Sequence, residues 1–133
     1  DESLSQRPMQ RILDPLRLMG ADLHCSARGT PPLTINGTLE LTGINYTSPL
    51  PSAQVKSCVL LAGRDAGGST TVTEPATSRD HTERMLPEFG VTLPSPATVG
   101  GGSLLRAAEL EIPADFSSAS FLIAAALLVP DSE

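Results

Sequence analysis

Ser52, Ala53 and Gln54, in the run PLPSAQVKSCVLLAG, are small or polar at the point where the chain turns apolar on one face. Serine is a natural helix N-cap, and the open N–H groups of a first turn, at the positive end of the helix dipole, form an anion site. Gln54 adds a donor and an acceptor suited to hydroxyl groups. A plain capping role explains Ser52 equally well. Arg7 and Arg79 each stand just before a helical pattern, 72 positions apart, where a guanidinium can grip a carboxylate or phosphate with two parallel bonds. Taken singly, each is a solvated surface arginine. Their equivalent places in a repeat make convergence beside the helix mouth an expectation, and a small phosphorylated acid is the ligand such a set would suit.

The other polar residues promise less chemistry. Lys56, two positions after Gln54, is expected to point to solvent, and Ser118 to cap its own helix. His24 and His81 lack cysteine or carboxylate neighbours at ligand spacing, so no metal site is expected. Asp80, Glu83 and Glu88 read as helix-end and surface charges. No Ser-His-Asp order, G-x-S-x-G, phosphate loop or dinucleotide fingerprint occurs, and no general base stands with an orienting partner.

The elements that must hold these residues follow from composition and pattern. A chain of 133 residues fits one compact body that buries roughly two thirds of its unfolded surface. Apolar residues make up 40% and aromatic residues only 3%, so the core is built from Leu, Ala, Val and Ile. A net charge of -6 offers no basic field for nucleic acid or anionic lipid. Cys25 and Cys58 lie 33 positions apart with no signal-peptide pattern, which favours reduced thiols in the cytoplasm. The longest apolar run, Phe121 to Val129, is about half of the ~20 residues a membrane span requires, so a buried helix is expected there.

An internal repeat covers most of the chain. Arg7 matches Arg79 and Pro15 matches Pro87 at the same offset, and the exits MGADL and FGVTL agree after a two-residue slip. Ser52 matches Ser118 at an offset of 66. Two units are expected, about 1–72 and 73–133. Helical spacing runs from Pro8 to Met19 and stops at Gly20, with Pro15 expected to bend the helix. Strands are expected at 21–26, 33–36 and 43–47, then a helix presenting Val55, Cys58, Val59 and Ala62 and ending at Gly63, then a Thr/Val strand in GGSTTVTEP. The second unit is expected to repeat this order. AELEI alternates like a strand, PSPATVGGGS (94–103) reads as an exposed loop, and the helix from Ser118 to Val129, apolar on every side, must be surrounded by protein. The fold class is α/β with helices inside and sheets outside.

The runs DESLSQRPMQRILDPLRLMGA, SAQVKSCVLLAG, TTVTEPATSRDHTERMLPEFGV and SSASFLIAAALLVP resemble the 5-enolpyruvylshikimate-3-phosphate synthase family, the 3-phosphoshikimate 1-carboxyvinyltransferases, from end to end. The resemblance implies an inside-out α/β lobe made of βαβαββ units, with the active site in a cleft between two lobes. It implies transfer of the carboxyvinyl group of phosphoenolpyruvate to the 5-hydroxyl of shikimate 3-phosphate, with loss of phosphate and with no metal or organic cofactor. Carried over by motif, Arg7 would bind phosphoenolpyruvate, whose place the inhibitor glyphosate takes. Ser52, Ala53 and Gln54 would contact shikimate 3-phosphate, with Gln54 also near phosphoenolpyruvate, and Arg79, helped by Ser78, would hold the shikimate phosphate.

The family chain is more than three times this length, so the present residues correspond to part of one lobe. The stretch bearing a catalytic lysine and the other lobe with its acid and base carboxylates have no counterpart here. The chain is therefore expected to supply binding residues, to partner the missing remainder of the enzyme and to be inactive alone. Ala53 stands where other branches have a second serine, and Ala114 replaces a glycine usual before Asp115. Two other readings stay open: a relative that acts on UDP-N-acetylglucosamine, and a non-catalytic module that keeps the fold for sugar-phosphate binding or for its surfaces.

Overall fold

The computed structural model describes residues 1–132. In chain order the elements are α1 (Glu2–Ser5), α2 (Gln10–Leu18), β1 (Asp22–His24), β2 (Thr34–Asn36), β3 (Asn45–Thr47), α3 (Ala53–Asp65), β4 (Ser69–Thr73), α4 (His81–Glu88), β5 (Thr98–Gly100) and α5 (Phe116–Leu128). The fold is α/β with mixed sheets. Strands β1 and β2 form an antiparallel pair with Leu23 opposite Ile35. Strands β3 and β4 run parallel, Asn45 opposite Thr71, and β5 joins β4 antiparallel with Thr70 opposite Val99. A parallel pair needs a crossover between its strands, and α3 provides it.

Helix α3 is the centre of the core. Its buried face carries Val55, Lys56, Val59, Leu60 and Gly63, at helical spacing. This face packs with Met19 from the end of α2, Val72 of β4, Leu86 of α4, Val91 and Val99 of β5. β4 alternates, Thr70 and Val72 facing the core while Ser69 and Thr73 face out. Gly63 does not end α3 as its type suggested; the helix continues to Asp65. Its missing side chain instead allows close approach, because a Cβ there would lie 2.5 Å from the Thr70 hydroxyl oxygen.

The repeated exits do share one device. Gly20 and Gly90 have φ of +93° and +82°. After α2, the N–H groups of Gly20 and Ala21 donate to the carbonyls of Arg17 and Leu16; after α4, those of Gly90 and Val91 donate to Pro87 and Leu86. Both are left-handed glycine terminations that satisfy the last carbonyls. Helix α2 starts at Gln10, later than Pro8, because Met9 serves as the N-cap and its own N–H is taken by the Gly29 carbonyl.

Four expectations from the sequence fail here. The 94–103 stretch is not an exposed loop: it contains β5, with Thr98 and Val99 buried. Val99 pays for the local glycine content by filling the core. AELEI (108–112) forms no strand and is largely exposed. Ser118 is not the cap of α5; Asp115 is, its carboxylate accepting from the N–H groups of Ser117 and Ser118. Finally α5 is not surrounded: Phe116, Phe121 and Leu122 are 80%, 81% and 76% exposed. An all-round apolar helix reports what must cover it, and none of the described residues does.

Candidate functional site

Ser52 adopts an extended backbone, φ −155° and ψ 102°, and its Oγ accepts a long 3.4 Å bond from the Val55 N–H. The Lys56 N–H donates to the Ser52 carbonyl, closing the first turn of α3. Among the described residues, no protein group takes the N–H groups of Ala53 and Gln54. These are the open donors that give a helix N-terminus its affinity for anions.

Beside this mouth runs the segment after β4. One cleft of about 500 Å³ is lined by Pro51, Ser52, Ala53, Gln54, Thr77, Ser78 and Arg79. An adjoining cleft of about 490 Å³ shares Ala53, Gln54 and Arg79 and adds Ser57, Cys58 and His81. The structure thus brings together five of the six residues singled out from the sequence. Arg79 is exposed beside the helix mouth, and its charge also lies near Asp115 at the start of α5. The Ser57 and Thr82 hydroxyls bond at 2.6 Å, tying α3 to α4 along one wall. Burial pushes the Cys58 thiol up, which keeps it protonated within the cleft.

Arg7 is the sixth, and it lines neither cleft. It stands exposed in the turn between α1 and α2. The arginine that meets the helix mouth is Arg11, whose Nη2 donates to Gln54 Oε1 at 3.2 Å. Arg11 also borders a tighter pocket of about 210 Å³, on another side of Ser52, formed with Asp14, Tyr46, Ser48, Leu50 and Val55. Burial first, and then the charge of Asp14, push the Tyr46 hydroxyl up, so it remains a donor.

The largest correction concerns Lys56, which is buried, its side chain 5% exposed. Its ammonium lies 2.7 Å from Glu83 Oε1 and 3.2 Å from Glu74 Oε2. Glu74 also accepts from the Ser52 N–H through Oε1 at 2.7 Å and from the Ser78 hydroxyl through Oε2 at 2.6 Å. Burial pushes the Glu74 carboxyl up, yet the bonds from Ser78, Ser52 and Lys56 together outweigh it and hold the group below its ordinary range. Burial alone would lower Lys56; its two carboxylates reverse this and raise it. Glu83 Oε2 is buried without a partner among the described residues.

Helical and strand periodicity contain the signal for this network. Lys56 precedes Val59, Leu60 and Gly63 by three, four and seven positions, which puts it on their face, and Glu74 follows Thr70 and Val72 on the buried side of β4. His24 corrects a smaller expectation, since its Nε2 lies 2.9 Å from Asp22 on the same strand face. Among the described residues no cluster of three or more His, Cys, Asp or Glu is arranged to hold a metal.

Comparison with known proteins adds the context. Residues 1–132 match the family model for EPSP synthase (3-phosphoshikimate 1-carboxyvinyltransferase). The chain is 55% identical over its whole length to a 3-phosphoshikimate 1-carboxyvinyltransferase of Xanthomonas oryzae pv. oryzae, strain PXO99A, covering 31% of that protein. It is 53% identical to one from Xanthomonas campestris pv. campestris, strain B100, again over 31% of its length. Among solved structures, the EPSP synthase of Acinetobacter baumannii superposes with a TM-score of 0.84 at 49% identity, over 95% of this chain and 29% of that one. The chain therefore spans about a third of the relatives it matches. No helix in the described residues is long and apolar enough to cross a membrane.

Proposed function

The chain belongs to the EPSP synthase family, and from that premise we propose that it supplies the substrate-binding part of one lobe of an enolpyruvyl transferase. The reaction is transfer of the carboxyvinyl group of phosphoenolpyruvate to the 5-hydroxyl of shikimate 3-phosphate, with release of phosphate. In this reading two repeat units meet near residues 72–73, and the remainder of the enzyme brings the acid and base groups. Two free cysteines, Cys25 and Cys58, suit a cytoplasmic setting.

The observation that carries the reading is the single cleft shared by Ser52, Ala53, Gln54, Ser78 and Arg79. Arg79 holds the shikimate phosphate by two parallel guanidinium bonds, and Ser78 helps through its main-chain N–H, because its one hydroxyl proton is given to Glu74. The open N–H groups of Ala53 and Gln54 add the attraction of the helix dipole for the same anion. The Gln54 side chain reads ring hydroxyls and lies beside phosphoenolpyruvate. Arg7 takes the phosphoenolpyruvate carboxylate, the place glyphosate would occupy; this role rests on the sequence motif. The chain's part in the chemistry is thus to fix the two substrates against each other, which supplies rate by lowering the entropy of their encounter.

The test is a chimera in which this chain replaces the matching segment of the Xanthomonas oryzae relative. Phosphate release from phosphoenolpyruvate that depends on shikimate 3-phosphate, lost in Arg79→Ala, is the expected result. A folded chimera that releases phosphate at the same rate in Arg79→Ala would overturn the assignment.

A further inference from the structure

The cleft is assembled from two separate parts of the chain, the mouth of α3 and the segment Thr77–Arg79. Nothing in local sequence fixes their separation, since 77–79 is irregular backbone with two exposed residues. One side chain spans the gap. Glu74 reaches the Ser52 N–H with Oε1 at 2.7 Å and the Ser78 hydroxyl with Oε2 at 2.6 Å. Its two oxygens therefore hold the first residue of the helix mouth and the residue before Arg79 at once. The bond to Ser78 also closes the five residues 74–78 into a loop, which limits how far Arg79 can stray.

A carboxylate in this place would ordinarily oppose the function, because it brings negative charge to an anion site. Lys56 answers that in part. Its ammonium lies 3.2 Å from Glu74 Oε2, beneath the loop and away from the two Arg79 clefts, whose linings do not include it. Glu83, its second partner at 2.7 Å, takes neither the Ser52 N–H nor the Ser78 hydroxyl, both of which donate to Glu74. The three charges thus divide into one group that spans the cleft, one that offsets part of its charge and one that anchors that cation to α4.

Building on the proposed function, we propose that Glu74 is a positioning residue for shikimate 3-phosphate, holding the Ser78–Arg79 segment against the Ser52–Gln54 mouth while Lys56, which it shares with Glu83, offsets part of its charge. Glu74 touches no substrate atom in this role; it acts through Ser52, Ser78 and Arg79. It sets the affinity for the phosphate ester, and the geometry in which Arg79 meets it.

Glu83 furnishes an internal control, because Glu74→Gln and Glu83→Gln each remove one of the two carboxylates from Lys56 but only the first disturbs the cleft. Amide exchange and chemical shifts are compared for the 133-residue chain and both variants, before and during titration with shikimate 3-phosphate. Glu74→Gln is expected to speed exchange of the Ser52 N–H at least tenfold, to shift Thr77–Arg79 and to weaken binding at least tenfold. Glu83→Gln is expected to leave the Ser52 exchange and the affinity within about twofold of the parent while losing comparable thermal stability. Equal weakening in both variants would overturn the proposal, since the network would then be structural support only. Unchanged Ser52 exchange in Glu74→Gln would overturn it too. A parent chain that binds no shikimate 3-phosphate would instead count against the proposed function, and the Ser52 exchange comparison, which needs no ligand, would still decide the placement.

Discussion

Replacing Lys56 by methionine tests the buried network at its cation. Methionine has nearly the same length and keeps the packing between α3, β4 and α4, so the change isolates charge. It leaves Glu74 and Glu83, 8% and 12% exposed, without the ammonium they share. Breaking a buried pair by removing one partner costs about 3–5 kcal/mol, because the remaining charge is uncompensated. For a chain of this size that is on the order of a 10–20 °C fall in midpoint. The pH dependence has a definite sign. In the parent, Glu74 is held below its ordinary 4.5, so its contribution is complete above that pH and is lost as the solution is acidified through the lower, folded value. Lys56 is held above its ordinary 10.5, so its contribution is complete below that pH and is lost as pH rises beyond it. Between about pH 5 and 10 the pair should therefore contribute a constant amount. In Lys56→Met the paired carboxylates are buried most easily after taking up a proton, so the deficit should be largest at neutral pH and shrink on approach to pH 4.5. Urea unfolding followed by circular dichroism at several pH values gives both numbers. Lys56→Met/Glu83→Gln, which removes one of the two stranded charges, should recover a substantial part of the loss. A stability at pH 7 within about 0.5 kcal/mol of the parent, or a deficit that grows on acidification, would be incompatible with a buried ion pair at Lys56.

Two further outcomes follow from packing. Gly63→Ala drives a methyl group into Thr70, where it would stand 2.5 Å from Oγ1; overpacking of about 1–3 kcal/mol should exceed the ~1 kcal/mol gain in helix propensity, whereas Gly37→Ala, with nothing within 4 Å, should be neutral or slightly stabilising by the same melt. The exposed apolar flank of α5, with Phe116, Phe121 and Leu122, should make the 133-residue chain associate with itself, and Phe121→Ser should reduce association without lowering the melting temperature; sedimentation velocity that finds a monodisperse monomer at all concentrations would rule this out.

Residue type and periodicity made the central helix and the strands β1 to β4 legible, though not which strands pair or in which direction, because an element writes its own buried face into the sequence but not its neighbour. Val55 and Val59 lie on the face expected for them, but that face is turned toward Lys56, Leu60 and Gly63, which leaves Cys58 and Ala62 only half-buried. The helix exits were legible for a different reason: Gly20 and Gly90 occupy backbone conformations that other residues rarely adopt. The approach of Arg79 to the Ser52–Gln54 mouth was legible from the internal repeat and from motif resemblance, not from local pattern, since no local rule carries distance between residues 25 positions apart. Lys56 and Glu74 were misjudged or passed over because residue type was given more weight than face. A lysine is nearly always solvated, yet the positions of Val59, Leu60 and Gly63 already put this one inside. β5 was hidden by its glycines and prolines, whose turn signal outweighed a single buried valine. The apolar surface of α5 calls for a covering partner but carries no pattern that specifies it. Arg7 illustrates the opposite case: the role proposed for it comes from motif alone, and Arg11 is the arginine that bonds to Gln54.

A preformed half-site for shikimate 3-phosphate in this chain is tested by titrating that ligand into the folded chain and reading the amide chemical shifts. Saturable shifts centred on Ser52, Ala53, Gln54 and Ser78, abolished in Arg79→Ala, are the predicted result. A folded chain whose spectrum does not change, or shifts that survive intact in Arg79→Ala, would contradict it.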